Sequence, residues 1–463
     1  MSKFSRSVGV LMGGAVGGQV ILVAASPLLT RLYSPHDFGV LAIYVSILSI
    51  FVVVASLSYE LAIPLPEEDE QAANLLVLSV GIVIAMSGLT WLLAFYFHEN
   101  VAAALEADSV SQFYWLLPIG VLLGGGYKAV NLWAVREKDF SEIAKTKINQ
   151  SLFIVFVQLV FFKFGAGVLI AGHAIGQGVG ALRLGGIAKK QIQGSKINFN
   201  IIKSVALRYK KFPLIDTWTK LINVTGKQLP PILLAYLLSP VVAGFYALAH
   251  RVTANPVGIV TNSVSNVFFS FGAESNRNNN LKELVESTHK KLFMVAALFS
   301  VLAFIFSPVL FSLIFGKEWG EAGDYARWMS IWIAMQISTG PLTVVFALVE
   351  RQGVGLAMQV QLLFIRVVAL YVGSAIGDGL TAVKIYCVSS AASYFVMAIS
   401  IFYVSGSNVI RLIKNYIKVA AFAFLIFSPS AVLLFFYDNN FLAAILAALG
   451  SSYYLWILRR SFR

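Results

Sequence analysis

Six basic side chains interrupt the long apolar runs of this chain, where a charge is costly unless it faces protein or water. They are Lys128, Lys220, Lys227, Arg251, Arg366 and Lys384. At about 1.5 Å of helix rise per residue, Lys227, Arg251 and Arg366 lie too deep in their runs to reach an interface. Lys384 is close enough to the start of its run to extend to the surface. Deep arginine and lysine groups of this kind bind anions, phosphate above all, through charge-assisted hydrogen bonds.

The deep cations belong to polar stripes with helical spacing. One stripe has intervals of 4, 3 and 4 residues and consists of Asp216, Lys220, Asn223 and Lys227. A second has intervals of 4, 7 and 4 residues and consists of Arg251, Asn255, Asn262 and Asn266. Such spacing places the members of a stripe on one face of a helix. Inside a membrane that face must look towards protein or a water-filled cavity.

Carboxylates that could neutralise these cations are few. A local ion pair between Asp216 and Lys220, four residues apart, is one explanation of the first stripe. No carboxylate is equally close in sequence to Lys227, Arg251 or Arg366. For these three a water-filled cationic cavity is favoured over a structural ion pair, and its charge indicates an anionic cargo.

Other chemistry has little support in the sequence. The single cysteine, Cys387, lies in an apolar run, and the five histidines form no cluster with metal-ligand spacing. The sequence contains no phosphate-binding loop and no catalytic constellation, so we expect no cofactor, no metal, no ATP hydrolysis and no enzymatic activity. The carboxylates Asp216 and Glu60 are the candidates for coupling to an ion gradient.

The composition indicates a multi-pass membrane protein. Of 463 residues 58% are hydrophobic and 12% charged, with a mean hydropathy of +0.79, whereas soluble domains carry about a quarter charged residues. The net charge of +13 could suit nucleic acid. The basic residues, however, lie in short segments between apolar runs, which is typical of the positive-inside rule, and we expect no nucleic-acid partner.

Fourteen apolar runs are long enough to span a membrane, which takes about 20 residues. They begin near residues 7, 39, 73, 113, 147, 165, 214, 240, 291, 326, 356, 380, 416 and 441. The loops on one face carry twenty-five lysines and arginines, Lys145 and Lys147 among them, and those on the other face carry four. This bias predicts an even number of spans and cytoplasmic termini.

The chain contains an internal repeat. The stretches 28–42 and 233–247 share seven residues at one offset, in the pattern L-L-x-x-L-x-S-P-x-x-x-G-x-x-A. Because proline ends one helix and starts another, each stretch predicts a helix–turn–helix. Six spans separate the copies, so the repeat predicts two parallel six-helix lobes. The predicted domains are an N-terminal lobe (1–187), a basic cytoplasmic linker (188–213), a C-terminal lobe (214–405) and two additional helices (406–463).

Four strings resemble the O-antigen and polysaccharide-unit flippases of the multidrug/oligosaccharidyl-lipid/polysaccharide flippase superfamily. They are LTRLYSPHDFGVL at 29–41, SYELAIPLP at 58–66, YALAHRV at 246–252 and FGKEWGEAGDYA at 315–326. The resemblance implies two six-helix lobes that form a V around a central cavity. It also implies a cargo, an oligosaccharide unit on undecaprenyl diphosphate that is moved across the membrane, with membrane lipid, a polysaccharide polymerase and a chain-length regulator as partners.

Cavity cations of such flippases are expected to bind the diphosphate. Together with the residue-level argument, this makes the candidate substrate-binding residues Arg31, Lys128, Lys220, Lys227, Arg251, Asn255 and Arg366. Two other functions stay open. An ion-coupled exporter of drugs or small metabolites could use the same scaffold, although it would favour a carboxylate-rich cavity. A non-transporting scaffold of a glycan assembly complex would need none of these cations.

Overall fold

Fourteen helices of 20 residues or more make up nearly all of the computed structural model, which describes residues 3–104, 112–437 and 440–462. Within these ranges it contains no β-strand. The helices are α1 (Lys3–Leu32), α2 (Pro35–Val54), α3 (Asp69–Ala104), α4 (Leu116–Arg136), α5 (Phe140–Val160), α6 (Ala166–Gln191), α7 (Thr217–Leu237), α8 (Pro240–Arg277), α9 (Leu281–Phe315), α10 (Gly320–Thr339), α11 (Gln352–Ile376), α12 (Gly379–Val404), α13 (Val409–Tyr437) and α14 (Asn440–Phe462).

Each predicted span corresponds to one of these helices, so the all-α polytopic fold is confirmed. In the described part of the chain, nine helices are long and apolar enough to cross a membrane, namely α1 to α3 and α9 to α14. The five that are less apolar, α4 to α8, are consecutive. They carry five of the nine residues predicted for binding or coupling, because polar stripes lower the apolarity of a helix.

The repeated Ser-Pro segments form the predicted turns. Ser34 caps α2: its hydroxyl accepts a hydrogen bond from the Asp37 amide (3.2 Å), and the Asp37 carboxylate accepts one from the Ser34 amide (2.9 Å). Both bonds satisfy amides that the first helical turn leaves unpaired. In the second copy the Ser239 hydroxyl accepts from the Val242 amide at 3.3 Å. The helix–turn–helix prediction is therefore confirmed for both copies.

The two copies of the repeat contact each other through their glycines. A methyl group added to Gly39 of α2 would overlap the carbonyl of Pro240 in α8, and one added to Gly244 of α8 would overlap the carbonyl of Pro35 in α2. The contact is reciprocal, as expected where two copies of one repeat cross. Both positions need glycine, because backbone lies where a side chain would be.

The chain divides into two compact units, Met1–Ala247 and Leu248–Arg463, with the division inside α8. In the first unit, α1 packs against α5, and Gly14 makes room for Ala144. A buried cluster around Trp133 and Leu184 joins α3, α4 and α6. The predicted domain boundaries at 187, 213 and 405 stay predictions, and the ends of the outer domains, residues 1 and 463, lie outside the described residues.

In the second unit the two last helices are attached to α9. Phe427 of α13 and Tyr454 of α14 are buried against α9, and the Tyr454 hydroxyl donates to the Met294 carbonyl at 2.9 Å. Glu286, buried in α9, accepts from the Asn408 amide (2.8 Å) and forms an ion pair with Arg411. These bonds fix the start of α13 and, through it, the terminal pair of helices.

Candidate functional site

A buried carboxylate, Glu60, lies just beyond α2. The preceding Leu57 and Ser58 have φ values of 48° and 58°, a left-handed conformation that costs energy for residues other than glycine. The turn directs Glu60 inwards, where it is 2% exposed. Its two carboxylate oxygens accept hydrogen bonds from the Ser56 hydroxyl (2.5 Å) and the Lys220 ammonium (3.2 Å).

Lys220 of α7 therefore pairs with Glu60 and not with Asp216, the local partner that the sequence offered. The reason is burial. Glu60 is almost inaccessible to solvent, so its charge depends on a cation in the protein. Asp216 is half-buried at the end of a π-helical turn, Phe212–Asp216, and keeps contact with solvent.

A polar cavity of about 320 Å³ lies inside the first unit, between α2, α4, α5 and α6. Its polar lining residues are Ser49, Tyr127, Lys128, Asn131, Lys147, His173 and Gln177. The Lys128 ammonium donates to the Val52 carbonyl at 3.1 Å, and the Lys147 ammonium lies 4.6 Å from the centre of the Tyr127 ring. In the described residues no carboxylate lines this cavity, which we call the Lys128–Lys147 pocket.

The assignment of Lys147 to a loop is wrong. Helix α5 begins at Phe140, about two turns earlier than the apolar run, so Lys147 lies within the helix and its side chain reaches the pocket. The carboxylate of the neighbouring Glu142 accepts hydrogen bonds from Lys145 (2.7 Å) and Arg183 (2.8 Å) and not from Lys147. Hydrogen bonds from these two cations lower the pKa of Glu142.

The Lys227 side chain, farther along α7, is exposed, as is that of Asn223. In the described ranges, no hydrogen bond or ion pair reaches Lys227. The next residue, Gln228, is tied to α2 because its side-chain oxygen accepts from the Ser46 hydroxyl at 3.2 Å. This bond orients α7 with Lys227 away from α2. Arg31, in the last turn of α1, is also exposed.

Arg251 belongs to the second unit and is half-buried on α8. None of the described carboxylates forms an ion pair with it. The preceding His250 stacks on Trp332, with ring centres 6.5 Å apart and planes inclined by 24°. Asn255, one turn further along, is exposed. A half-buried guanidinium without a carboxylate partner is suited to binding an anion.

Arg366 of α11 lies among aromatic rings. Its guanidinium carbon is 5.2 Å from the Trp332 ring centre, 5.4 Å from that of Tyr386 and 5.9 Å from that of Tyr394. Its Nε donates to the buried Ser390 hydroxyl at 3.1 Å. Cation–π contacts thus stabilise the charge in a largely apolar setting. We call Trp332, Tyr386 and Tyr394 the aromatic box.

Each unit contains part of the predicted site. The first unit holds Arg31, Glu60, Lys128, Asp216, Lys220 and Lys227, and the second holds Arg251, Asn255 and Arg366. The structure brings together Glu60 and Lys220 in the first unit, whereas no hydrogen bond or ion pair of the described residues joins Lys227 or Arg31 to them. Sequence reasoning missed Lys147 and the aromatic box. A signal for Lys147 was the lack of glycine and proline between Phe140 and Lys147, which allows the helix to begin before the apolar run.

Comparison with known proteins agrees with this architecture. Residues 28–324 match the model of a family described as polysaccharide biosynthesis protein. The succinoglycan biosynthesis transport protein ExoT of Rhizobium meliloti (strain 1021) is 24% identical over 325 residues. That alignment covers 69% of this chain and 64% of ExoT, less than two thirds of the relative's length.

Two solved structures share the fold. The lipid II flippase MurJ in its inward closed conformation has a TM-score of 0.75 and 12% identity, with 97% of this chain and 98% of MurJ covered. An inward-facing multidrug resistance MATE family transporter has a TM-score of 0.60 and 12% identity, with coverage of 89% and 94%. These likenesses confirm a multi-pass membrane fold. The chain belongs to the polysaccharide biosynthesis protein family.

Proposed function

We propose that this protein moves an undecaprenyl-diphosphate-linked oligosaccharide repeat unit across the bacterial cytoplasmic membrane by alternating access. The product would supply O-antigen, capsule or exopolysaccharide synthesis. One observation carries the proposal: Arg251, half-buried in a membrane helix, has no carboxylate partner in the described residues. A guanidinium in that position is available to pair with an anion, and the diphosphate of such a cargo provides one.

The other parts of the cargo also find suitable surroundings. Sugar hydroxyls require neutral hydrogen-bonding groups, which Asn223, Asn255 and Asn262 present on the same helices as the cations. The prenyl chain can stay in lipid while the polar part crosses. We propose Arg31, Lys128, Lys220, Lys227, Arg251, Asn255 and Arg366 as the residues that bind the diphosphate and sugars. The polymerase and the chain-length regulator, like the cytoplasmic position of both termini, are part of this proposal.

An exporter of cationic drugs would need accessible carboxylates in the membrane. Glu60 does not meet this need, because it is 2% exposed and already binds Ser56 and Lys220. We propose that Glu60 and the half-buried Asp216 instead serve coupling to an ion gradient. Protonation of Glu60 would release Lys220, so the ion pair is a suitable element for linking ion binding to movement of α7.

Replacing Arg251 with alanine tests the proposed function. We expect surface polysaccharide to fall by tenfold or more while the amount of protein in the membrane stays normal, since a charge-assisted contact to phosphate is worth about tenfold in affinity. Surface polysaccharide and lipid-linked repeat units are both measured in the same cells. The strain carries the variant as its only copy of the gene. Repeat units should accumulate on lipid because synthesis continues without transport.

Arg277→Ala is the matched control, since Arg277 is exposed in the last turn of the same helix. It should retain normal polysaccharide. Full polymer in the Arg251→Ala strain would remove Arg251 from the site. If Lys227, Arg251 and Arg366 could be neutralised together without loss of polymer, the non-transporting scaffold would be correct and the flipping proposal wrong.

The aromatic box predicts that Arg366 cannot be replaced by lysine. Lysine keeps the charge but loses the planar stacking and the Nε bond to Ser390, and cation–π contacts are worth about 0.5–2 kcal/mol. We expect Arg366→Lys to reduce polysaccharide export severalfold at an unchanged protein level, and Arg366→Met to reduce it further. Arg351→Lys, the same change at the exposed start of α11, should have no effect. Equal export by Arg366→Lys and the unchanged protein would show that only the charge matters.

A further inference from the structure

The Lys128–Lys147 pocket is built entirely from one unit and from neighbouring helices. Its two ammonium groups come from α4 and α5, and the remaining polar groups come from α2, α4 and α6. Its volume of about 320 Å³ is several times the space that one water molecule needs. The pocket can therefore hold a ligand larger than a single water molecule.

The charge of the pocket is not balanced by a direct ion pair within the described residues. Lys128 donates to a neutral carbonyl, that of Val52, and Lys147 lies over the neutral Tyr127 ring. The carboxylates on neighbouring segments already have other partners. Glu60 binds Ser56 and Lys220, and Glu142 binds Lys145 and Arg183.

These pairings occupy both carboxylates, and the remaining lining groups of the pocket add donors without adding negative charge. Asn131 and Gln177 bring amide groups, and His173 brings an imidazole. Two ammonium groups surrounded by neutral donors are complementary to an anion with two charges and several oxygens.

We propose that the Lys128–Lys147 pocket binds a doubly charged oxyanion of the phosphate class. Lys128 and Lys147 supply the charge, and the amides of Asn131 and Gln177 donate to the remaining oxygens. The natural source is either the diphosphate of the cargo or free phosphate. Only the diphosphate of the cargo as the source depends on the proposed function. The proposal that the pocket binds an oxyanion depends on the geometry and charge of the pocket alone.

Binding of inorganic pyrophosphate to the purified full-length protein in detergent tests the site. Titration calorimetry and thermal unfolding should show binding and stabilisation by pyrophosphate, and none by chloride at equal ionic strength. Lys147→Gln should weaken binding by about tenfold or more, since it removes one charge-assisted contact. Lys128→Arg should retain binding, because it keeps the charge and a donor for the Val52 carbonyl.

Lys145→Gln is the matched control, because it removes a lysine from the same helix that binds Glu142 outside the pocket. It should bind pyrophosphate as the unchanged protein does. Equal affinity of Lys147→Gln and the unchanged protein would overturn the proposal, as would equal effects of pyrophosphate and chloride. The Lys147 change removes no contact to buried backbone, so the test does not depend on the folding of a Lys128 variant.

Competition with geranyl diphosphate, a soluble prenyl diphosphate, distinguishes the two sources. Displacement of pyrophosphate by the prenyl compound would support the pocket as a site for the cargo's head group. Binding of pyrophosphate that geranyl diphosphate cannot displace would support a site for free phosphate. Because binding is measured without transport, failure of this site and failure of the flipping proposal are separate results.

Discussion

Replacing Gly39 with alanine is expected to destabilise the protein, although alanine is the better helix former. The new methyl group would overlap the carbonyl of Pro240, so α2 and α8 would have to move apart. Overpacking of this kind costs about 1–3 kcal/mol, and more where backbone must shift. We expect a lower midpoint of thermal unfolding in detergent and a severalfold loss of polysaccharide export.

Gly81→Ala on α3 is the matched control, because a methyl group there meets no atom within 4 Å. It should leave the unfolding midpoint unchanged or raise it, since alanine in a helix is favoured over glycine by about 0.5–1 kcal/mol. The sign of the effect should therefore differ between the two positions. A Gly39→Ala protein as stable as Gly81→Ala would show that α2 and α8 do not cross this closely.

The reciprocal contact between α2 and α8 also predicts the effect of replacing Gly244, alone and together with Gly39. Gly244→Ala alone should destabilise the protein as Gly39→Ala does, because it overlaps the Pro35 carbonyl. The double variant should lose clearly less stability than the sum of the losses of the two single variants. Once α2 and α8 have separated to admit one methyl group, the second meets less resistance, and neighbouring substitutions are not additive.

Replacing Glu60 with glutamine is the second change with a large expected effect. It keeps the shape of the side chain but removes the only carboxylate that pairs with Lys220 among the described residues. Breaking a fully buried pair costs about 3–5 kcal/mol. The Lys220 side chain is 34% exposed and can turn towards water, so we expect a loss of about 2 kcal/mol. This loss of stability is measured as a decrease in the midpoint of thermal unfolding.

Glu142→Gln is the control for Glu60→Gln, since Glu142 forms its ion pairs with two largely exposed cations. Such pairs contribute about 0–1 kcal/mol, so this change should be nearly neutral. Lys220→Met alone should destabilise the protein, because it leaves the Glu60 charge buried without its cation. Adding Glu60→Gln to Lys220→Met should recover part of that loss. If the losses of the two single variants simply added in the double variant, Glu60 and Lys220 would not interact directly.

The same variant addresses coupling. If Glu60 carries the coupling proton, Glu60→Gln should make export insensitive to collapse of the proton gradient while the unchanged protein remains sensitive. Asp216→Asn is the parallel test for the second carboxylate. Equal sensitivity of both variants and the unchanged protein would remove these two residues from coupling.

The class of protein and its helices could be predicted from sequence, because both depend on local signals. Apolar runs of membrane length predict each helix, and the Ser34-Pro35 and Ser239-Pro240 steps predict the turns between them. Proline lacks an amide hydrogen, and serine caps the helix that follows, so these residues act within their own segment.

The partners of the charged residues could not be predicted in this way. Lys220 has a carboxylate four residues away, yet it binds Glu60, which is 160 residues distant in sequence. Lys147 belongs by hydropathy to a loop, yet α5 extends past it and places it in a pocket with Lys128. Arg366 has no neighbour in sequence that reveals the three rings around it.

The sequence thus establishes which segments become helices and on which helical faces the charges lie. Packing of distant helices establishes whether a charge meets a carboxylate, an aromatic ring or an open cavity. The physical reason is that helix formation depends on interactions within a few residues. The energy of a buried charge depends instead on every group within several ångströms, whichever part of the chain supplies it.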